Sequence, residues 1–197
     1  MYFLDSNSIV KLNIVRFRDF SHLIILFIAI AVIFYIVFLV KRKGSSRFIT
    51  DENLIETIWT VAPCFVLISL AIPRLLLLYV TDNPANLTNN LNVTGRQWYW
   101  VYSSSNFRFE SYITSSLPRL LNVDNSALIR GRTLALIRRG DVLHRWALPS
   151  LGVKADAVPG RINFAILDPL LKGVFFGQCR EICGANHSFI PIKLESL

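Results

Sequence analysis

Residues 23–40 read Leu-Ile-Ile-Leu-Phe-Ile-Ala-Ile-Ala-Val-Ile-Phe-Tyr-Ile-Val-Phe-Leu-Val, with no charged side chain. At about 1.5 Å rise per residue, such a run spans a bilayer core once flanking residues such as Ser21 and His22 join it. A transmembrane helix over about residues 21–41 is therefore expected. The preceding residues 1–20 lack the apolar core and small-residue cleavage site of a signal peptide. Phe and Leu side chains there mix with Lys11, Arg16, Arg18 and Asp19, as in a short amphipathic lead.

The formal net charge of +8 invites a nucleic-acid reading. Its distribution opposes one. Lys41, Arg42, Lys43 and Arg47 follow the apolar run directly, as charges flanking a membrane span do, so the expected partner of this cluster is lipid and not nucleic acid. Thr50-Asp51-Glu52-Asn53 then supplies helix-start chemistry, with acids in the first turn. A second apolar segment covers residues 54–80 and contains Pro63, Pro73 and Arg74. The prolines are expected to bend or break it, and its length exceeds one crossing. Residues 21–80 thus form a transmembrane hairpin, with helices at about 21–41 and 52–80. The basic loop belongs on the cytoplasmic or matrix side. That leaves residues 1–20, the lead, and residues 81–197, a soluble domain, on the outer side.

Residues 81–95 are rich in Asn, Thr and Pro and read as a linker. Beyond them lie short β-prone stretches at 97–102, 107–113, 127–129, 133–137, 141–148, 161–166, 172–177 and 188–193. Turn signals such as Asn122-Val123-Asp124-Asn125, Arg139-Gly140-Asp141 and Pro159-Gly160 separate many of them. Short strands at this spacing indicate a β-sandwich or barrel. No nucleotide-binding glycine loop and no internal repeat is present.

The chemistry concentrates in residues 177–191, Gly-Gln-Cys-Arg-Glu-Ile-Cys-Gly-Ala-Asn-His-Ser-Phe-Ile-Pro. Cys179, Cys183 and His187 follow one another at intervals of four. His144 stands alone upstream, on a different strand candidate. The third cysteine, Cys64, lies in the apolar segment and reads as an inert buried thiol. Two thiolates and two imidazoles admit a structural zinc site, although the histidines lack the usual pairing. Cys183, His187 and position 190 have the layout of a mononuclear copper loop, but Cys179 is then extra. A copper pair with bridging sulfurs uses every ligand. The bland reading is a Cys179–Cys183 disulfide or two buried thiols.

The motif Gly-Gln-Cys-x-Glu-Ile-Cys-Gly-x-Asn-His-Ser-Phe-x-Pro resembles the dinuclear copper A motif of cytochrome c oxidase subunit II. So do Asp141-Val142-Leu143-His144-x-Trp146, Pro149-Ser150-Leu151-Gly152-x-Lys154-x-Asp156-Ala157-x-Pro159-Gly160-Arg161, Gly95-x-Gln97-Trp98-Tyr99-Trp100 and Glu56-Thr57-Ile58-Trp59-Thr60. The likeness runs from Asp51 to Pro191 with the motifs in the family's order. It implies a membrane-anchored all-β fold, a two-helix hairpin followed by a cupredoxin-like Greek-key β-barrel. It implies that His144, Cys179, Cys183 and His187 ligate a copper pair, with the Glu181 carbonyl as a further ligand. The Glu181 side chain would reach magnesium at the boundary with catalytic subunit I, which carries the haems. Trp98 would receive electrons from cytochrome c, with Asp141, Tyr99 and Trp100 at the docking face. Glu56 would lie near the mouth of a proton channel in the neighbouring subunit. The implied task is electron relay within a haem-copper terminal oxidase, alongside other oxidase subunits. The implied place is the mitochondrial inner membrane, with the copper domain in the intermembrane space; a bacterial plasma membrane is the alternative compartment. The competing function is a membrane-anchored copper-binding or copper-delivery protein, which requires neither Glu56 nor the aromatic run.

The chain departs from the family's pattern in three places. It runs only a few residues past Pro191, so any C-terminal extension is expected to be short. Ser103, Ser104 and Ser105 stand where acids would steer a basic partner. Ile190 occupies the position of the family's methionine ligand. Isoleucine cannot coordinate, and a weak axial ligand tunes potential more than it holds metal. The sole methionine of the chain is Met1. Some mitochondrial codes read as methionine a codon that is elsewhere isoleucine. Residue 190 is accordingly expected to have the mass of methionine in the peptide that contains Phe189; an isoleucine mass in that peptide overturns the codon account.

Overall fold

A computed structural model describes residues 5–42, 44, 52–114 and 123–197. Lys43, Arg47, the helix-start residues Thr50 and Asp51, and Asn122 of the expected turn lie outside the described residues. The chain divides into two compact units, one of residues 13–79 and one that joins residues 1–12 to residues 80–197.

The first unit is built on two helices, α1 (Ile9–Lys41) and α2 (Asn53–Thr81), both long and apolar enough to cross a membrane. Most of their Leu, Ile, Val and Phe side chains are exposed and none is buried, as a lipid-facing surface requires. Polar side chains find partners inside their own helix. The hydroxyls of Thr57 and Thr60 donate to the carbonyls of Asn53 and Glu56, each at 2.8 Å. The Cys64 thiol donates to the Thr60 carbonyl at 3.4 Å and lies on the exposed helix surface, not buried as its apolar neighbours imply. Two boundaries differ from expectation. α2 continues through Pro63 and Pro73 without a break. α1 starts at Ile9 rather than near residue 21, because charged side chains end apolarity without ending a helix. Ser8 provides the cap, its Oγ accepting the Lys11 N–H at 3.0 Å.

The lead is tied to the β-rich unit. The Asn7 N–H donates to the Ser150 carbonyl and the Leu170 N–H to the Asn7 carbonyl, both at 3.0 Å. The Asn7 side chain bridges both backbone groups of Leu171, at 3.1 and 2.9 Å. Ser8 is buried and its hydroxyl donates to the Leu151 carbonyl at 2.7 Å.

The β-rich unit is two five-stranded sheets packed face to face, a cupredoxin-like barrel. One has the order β3-β2-β1-β5-β8, from Arg108–Ser111, Tyr99–Ser103, Asn89–Arg96, Thr133–Arg139 and Asn163–Leu167. The other has the order β4-β10-β9-β6-β7, from Ala127–Ile129, Pro191–Ser196, Gly173–Cys179, His144–Leu148 and Val153–Ala157. Pairs β1–β5 and β4–β10 are parallel; the other neighbours are antiparallel. The expected linker over residues 81–95 is half strand. Leu91, Val93 and Gly95 of β1 alternate inward between Asn92, Thr94 and Arg96, a period of two that the Asn-rich composition masks. β7 was likewise not anticipated among the turn-rich residues after Pro149.

Inward side chains of both sheets fill the core, among them Trp100, Tyr102, Ile137, Trp146, Leu148, Ile192 and Leu194. A fully buried Leu or Ile contributes about 1.5–3 kcal/mol. One polar pair of the core crosses between the sheets, the Trp146 indole donating to the Tyr102 hydroxyl at 3.3 Å, whereas the Trp100 indole N–H has no partner among the described residues. Burial holds the Tyr102 phenol well above its ordinary range, so it stays neutral. Strands β6 and β9 approach closely at Gly177. A Cβ built there would lie 2.0 Å from the Ala147 carbonyl oxygen. Gly177→Ala is therefore expected to destabilise the β-rich unit by about 3 kcal/mol or more, read from denaturant unfolding of the full chain in detergent.

Candidate metal centre

Strand pairing brings the distant residues together. β6 begins with His144 and β9 ends with Cys179, and Trp146 pairs with Cys179 between them. Two backbone bonds pin the base of the loop that follows. The Cys179 N–H donates to the Ile190 carbonyl at 3.1 Å, and the Arg180 N–H to the Arg145 carbonyl at 3.0 Å. The loop passes Cys183 and returns through a 3-10 turn, His187–Phe189, into β10.

One ligand atom each from His144, Cys179 and Cys183 falls within 4.8 Å of the others, and all three residues are buried. His144 Nδ1 lies 3.9 Å from Cys179 Sγ. His187 Nδ1 lies 3.4 Å from Cys183 Sγ and joins the cluster from its outer side. Both cysteines are free thiols. The Cys179 thiol donates to the Glu181 carbonyl at 3.4 Å, which puts that oxygen at the cluster too. Soft sulfur, imidazole nitrogen and one carbonyl oxygen in a buried pocket are a donor set that fits copper.

A surrounding layer orients these groups. Asp141 Oδ1 bonds His144 Nε2 at 2.8 Å, so the imidazole directs Nδ1 toward Cys179. The same carboxylate accepts the N–H groups of Val142 and Gln97, both at 2.6 Å. Gly95 lies beneath the imidazole, where a Cβ would fall 2.9 Å from the His144 ring and from Trp100. Gln97 Nε2 donates to the Cys183 carbonyl at 2.8 Å. Gly184 adopts φ +124, a conformation that favours glycine, and passes against Trp98; a Cβ there would lie 3.1 Å from the Trp98 indole nitrogen. Arg145 ties the loop to the sheet through Glu181 Oε2 at 3.1 Å and through Asp156.

The electrostatics follow from this packing. Burial pushes the Cys179 thiol up. The hydrogen bond with His144 and the backbone groups of Arg145 and Glu181 outweigh it, and the thiol ends below its ordinary range. Cys183 is pushed up to about 12, by burial first and by the neighbouring Cys179 next. Burial lowers the His144 pKa, but Cys179 and Asp141 raise it further than burial lowers it. Burial works to raise the Asp141 pKa, while His144 and the two backbone N–H groups hold it below the usual carboxylate range.

The remaining sequence candidates fall in varied places. Ile190 is buried with both cysteines in the core. Trp98 is half-buried on the β1–β2 turn, and its indole N–H has no hydrogen-bond partner among the described residues. Tyr99 is half-buried and stacks on Tyr112 at 4.5 Å. Trp100, expected at a docking face, has no exposed surface. The strand's alternation turns it into the core, edge-on to His144 at 5.8 Å. Asp141 keeps part of its carboxylate exposed but spends its hydrogen bonds inward. Glu56 sits in the first turn of α2, in the helical unit. Three supporting residues were not anticipated as such: Gly95, Gln97 and Arg145. Their signal was present, since Gly95 and Gln97 share a motif and Arg145 follows His144.

Two family profiles match the chain: cytochrome c oxidase subunit II, periplasmic domain, over residues 89–197, and cytochrome c oxidase subunit II, transmembrane domain, over residues 1–77. Cytochrome c oxidase subunit 2 of Myxine glutinosa is 42% identical over 205 residues, covering 98% of this chain and 90% of that protein. The protein of the same name from Periplaneta americana is 43% identical over 207 residues, with the same coverage. Among solved structures, the periplasmic domain of subunit II of cytochrome oxidase of Bradyrhizobium japonicum is similar at a TM-score of 0.54. It is 37% identical and covers 57% of this chain and 86% of that one.

Asp141→Asn would keep the shape of the side chain but remove the charge that holds His144. It is expected to lower copper affinity about 10–100-fold in a competition titration of the full chain, with the fold intact by circular dichroism.

Proposed function

The chain belongs to the cytochrome c oxidase subunit II family, and from that footing we propose that it accepts electrons from cytochrome c at a dinuclear copper centre on His144, Cys179, Cys183 and His187. Members of the family are electron-transfer subunits of haem-copper terminal oxidases, oxidoreductase complexes in which this chain is one subunit among several. The finer assignments are our reading. The observation that carries it is the buried cluster of His144, Cys179 and Cys183, with His187 against Cys183. A copper pair held by His144, Cys179, Cys183 and His187 would take up and pass on one electron at a time.

The protein's own residues supply the rest. Asp141 and Gly95 hold the His144 ring in one orientation. Pairing of β6 with β9 holds His144 and Cys179 at adjacent strand ends, which would limit rearrangement of these two donors on electron transfer. Trp98 packs against Gly184 of the ligand loop, which supports its role as the electron entry. The Glu181 carboxylate lies on the same loop and engages Arg145; in the assembled enzyme we assign it to a magnesium ion facing catalytic subunit I. Glu56 is assigned to the mouth of a proton path in that subunit. Residues 1–20, 21–80 and 81–197 are taken as lead, membrane hairpin and copper domain. The hydrogen bonds that fasten Asn7 and Ser8 to the β-rich unit support a common outer side for the lead and the copper domain. Two membrane-capable helices and animal relatives support the mitochondrial inner membrane, with the copper domain in the intermembrane space. A true isoleucine at 190 leaves a centre that binds copper at a shifted potential.

Copper-loaded full chain in detergent is expected to show a delocalised mixed-valence pair by optical and electron spin resonance spectroscopy. A single-copper signal, or none, defeats the assignment and returns the chain to the delivery or disulfide readings. Because the metal-free Cys183 thiol stands at about 12, it is protonated at neutral pH, and loading must release that proton. Apparent copper affinity is thus expected to fall as pH falls, with proton release measured alongside uptake. Trp98→Leu is expected to slow oxidation of cytochrome c by the assembled oxidase while the copper spectrum is retained.

A further inference from the structure

The outer face of the β3-β2-β1-β5-β8 sheet carries a concavity of about 270 Å3 that the metal centre does not use. Four arginines line it, Arg96, Arg108, Arg138 and Arg139, together with Thr94 and Ser103. Register explains the convergence. Thr94 of β1 pairs with Arg138 of β5, and Ser103 of β2 pairs with Arg108 of β3. Arg138 Nε donates to Thr94 Oγ1 at 3.2 Å, which fixes one guanidinium over the sheet. Gly140 leaves room for another, since a Cβ there would lie 3.0 Å from Arg96 Nε.

No Asp or Glu lines the concavity. None of the four guanidinium groups forms an ion pair with a carboxylate among the described residues. Four like charges in one concave place repel one another, and a multivalent anion relieves that repulsion. Guanidinium forks pair bidentately with phosphate oxygens, and Thr94 and Ser103 add hydroxyl donors. Four guanidinium groups from three strands carry more charge and more N–H donors than one phosphate can engage, and a chain of phosphates can engage them all. An acidic protein segment fits less well, because protein interfaces have an apolar and aromatic core. Here Val101 is the one apolar side chain in the lining.

The geometry points to an anion site that takes a chain of phosphate groups, either inorganic or carried on a nucleoside. None of its residues is a candidate metal ligand, so anion binding and copper binding are tested separately. The full chain in detergent and the intact oxidase containing it are titrated calorimetrically with inorganic tripolyphosphate at low and at physiological salt. One saturable site per chain is expected in both, with orthophosphate binding more weakly. Arg108 and Arg138 are exposed, so Arg108→Gln and Arg138→Gln are expected to fold and to weaken binding about tenfold each. Arg130→Gln, outside the concavity, is expected to change nothing. Adenosine triphosphate separates the two sources: equal affinity means that the phosphate chain alone is read, and tighter binding means that the nucleoside is read too. Absence of saturable binding by the unaltered chain at low salt overturns the site. Binding that both arginine variants leave intact also overturns it. Binding by the isolated chain but not by the intact oxidase overturns it in favour of a face covered by an acidic partner subunit.

Discussion

The position of one imidazole governs the β-rich unit's chemistry. His144 is held at Nε2 by Asp141, presses its ring on Gly95 and aims Nδ1 at Cys179. The contacts with Gly95 and Cys179 cross between segments far apart in the chain. They hold only because β6 pairs with β9 and because the β1–β2 turn folds over the ligand loop. The packing of the two sheets therefore serves the site as much as stability. A shift between them would take Gly95 from beneath the imidazole and Gln97 from the Cys183 carbonyl.

That dependence explains how the small residues are distributed. Gly177 permits the close approach of β9 to the Ala147 carbonyl, and Gly95 makes the seat for the imidazole. Neither is a ligand, yet each sets where a ligand lies. The carboxylates behave similarly. Asp141 satisfies two backbone N–H groups besides His144, and Glu181 is drawn to Arg145, so negative charge near the centre is already engaged. In the concavity on the far face of the β3-β2-β1-β5-β8 sheet the balance is reversed, with four arginines and no carboxylate in the lining. The net charge of +8 thus has two local meanings, one at the membrane loop and one on this face.

Much of the site was legible because its spacing is local. Cys179, Cys183 and His187 sit in one loop, and the motifs around His144 and Trp98 carry the family's pattern. What was not legible depends on burial. Trp100 and Trp98 are near neighbours in an aromatic run, and composition does not tell which one faces the core. β1 was hidden by asparagines that face outward while Leu91 and Val93 face inward. The start of α1 was hidden because apolarity marks a membrane span, whereas backbone hydrogen bonding and a Ser8 cap mark a helix.

By itself the sequence determined the two apolar spans, the β-rich remainder, the soft ligand set and the family. Each of these follows from composition or from spacing along a few residues. Only the tertiary structure decided that His144 meets Cys179, that Trp100 belongs to the core, that Asn7 and Ser8 dock on the β-rich unit, and that four arginines from three strands share one concavity. Those outcomes depend on strand register and sheet packing, which join residues through space by pairings that no local window contains.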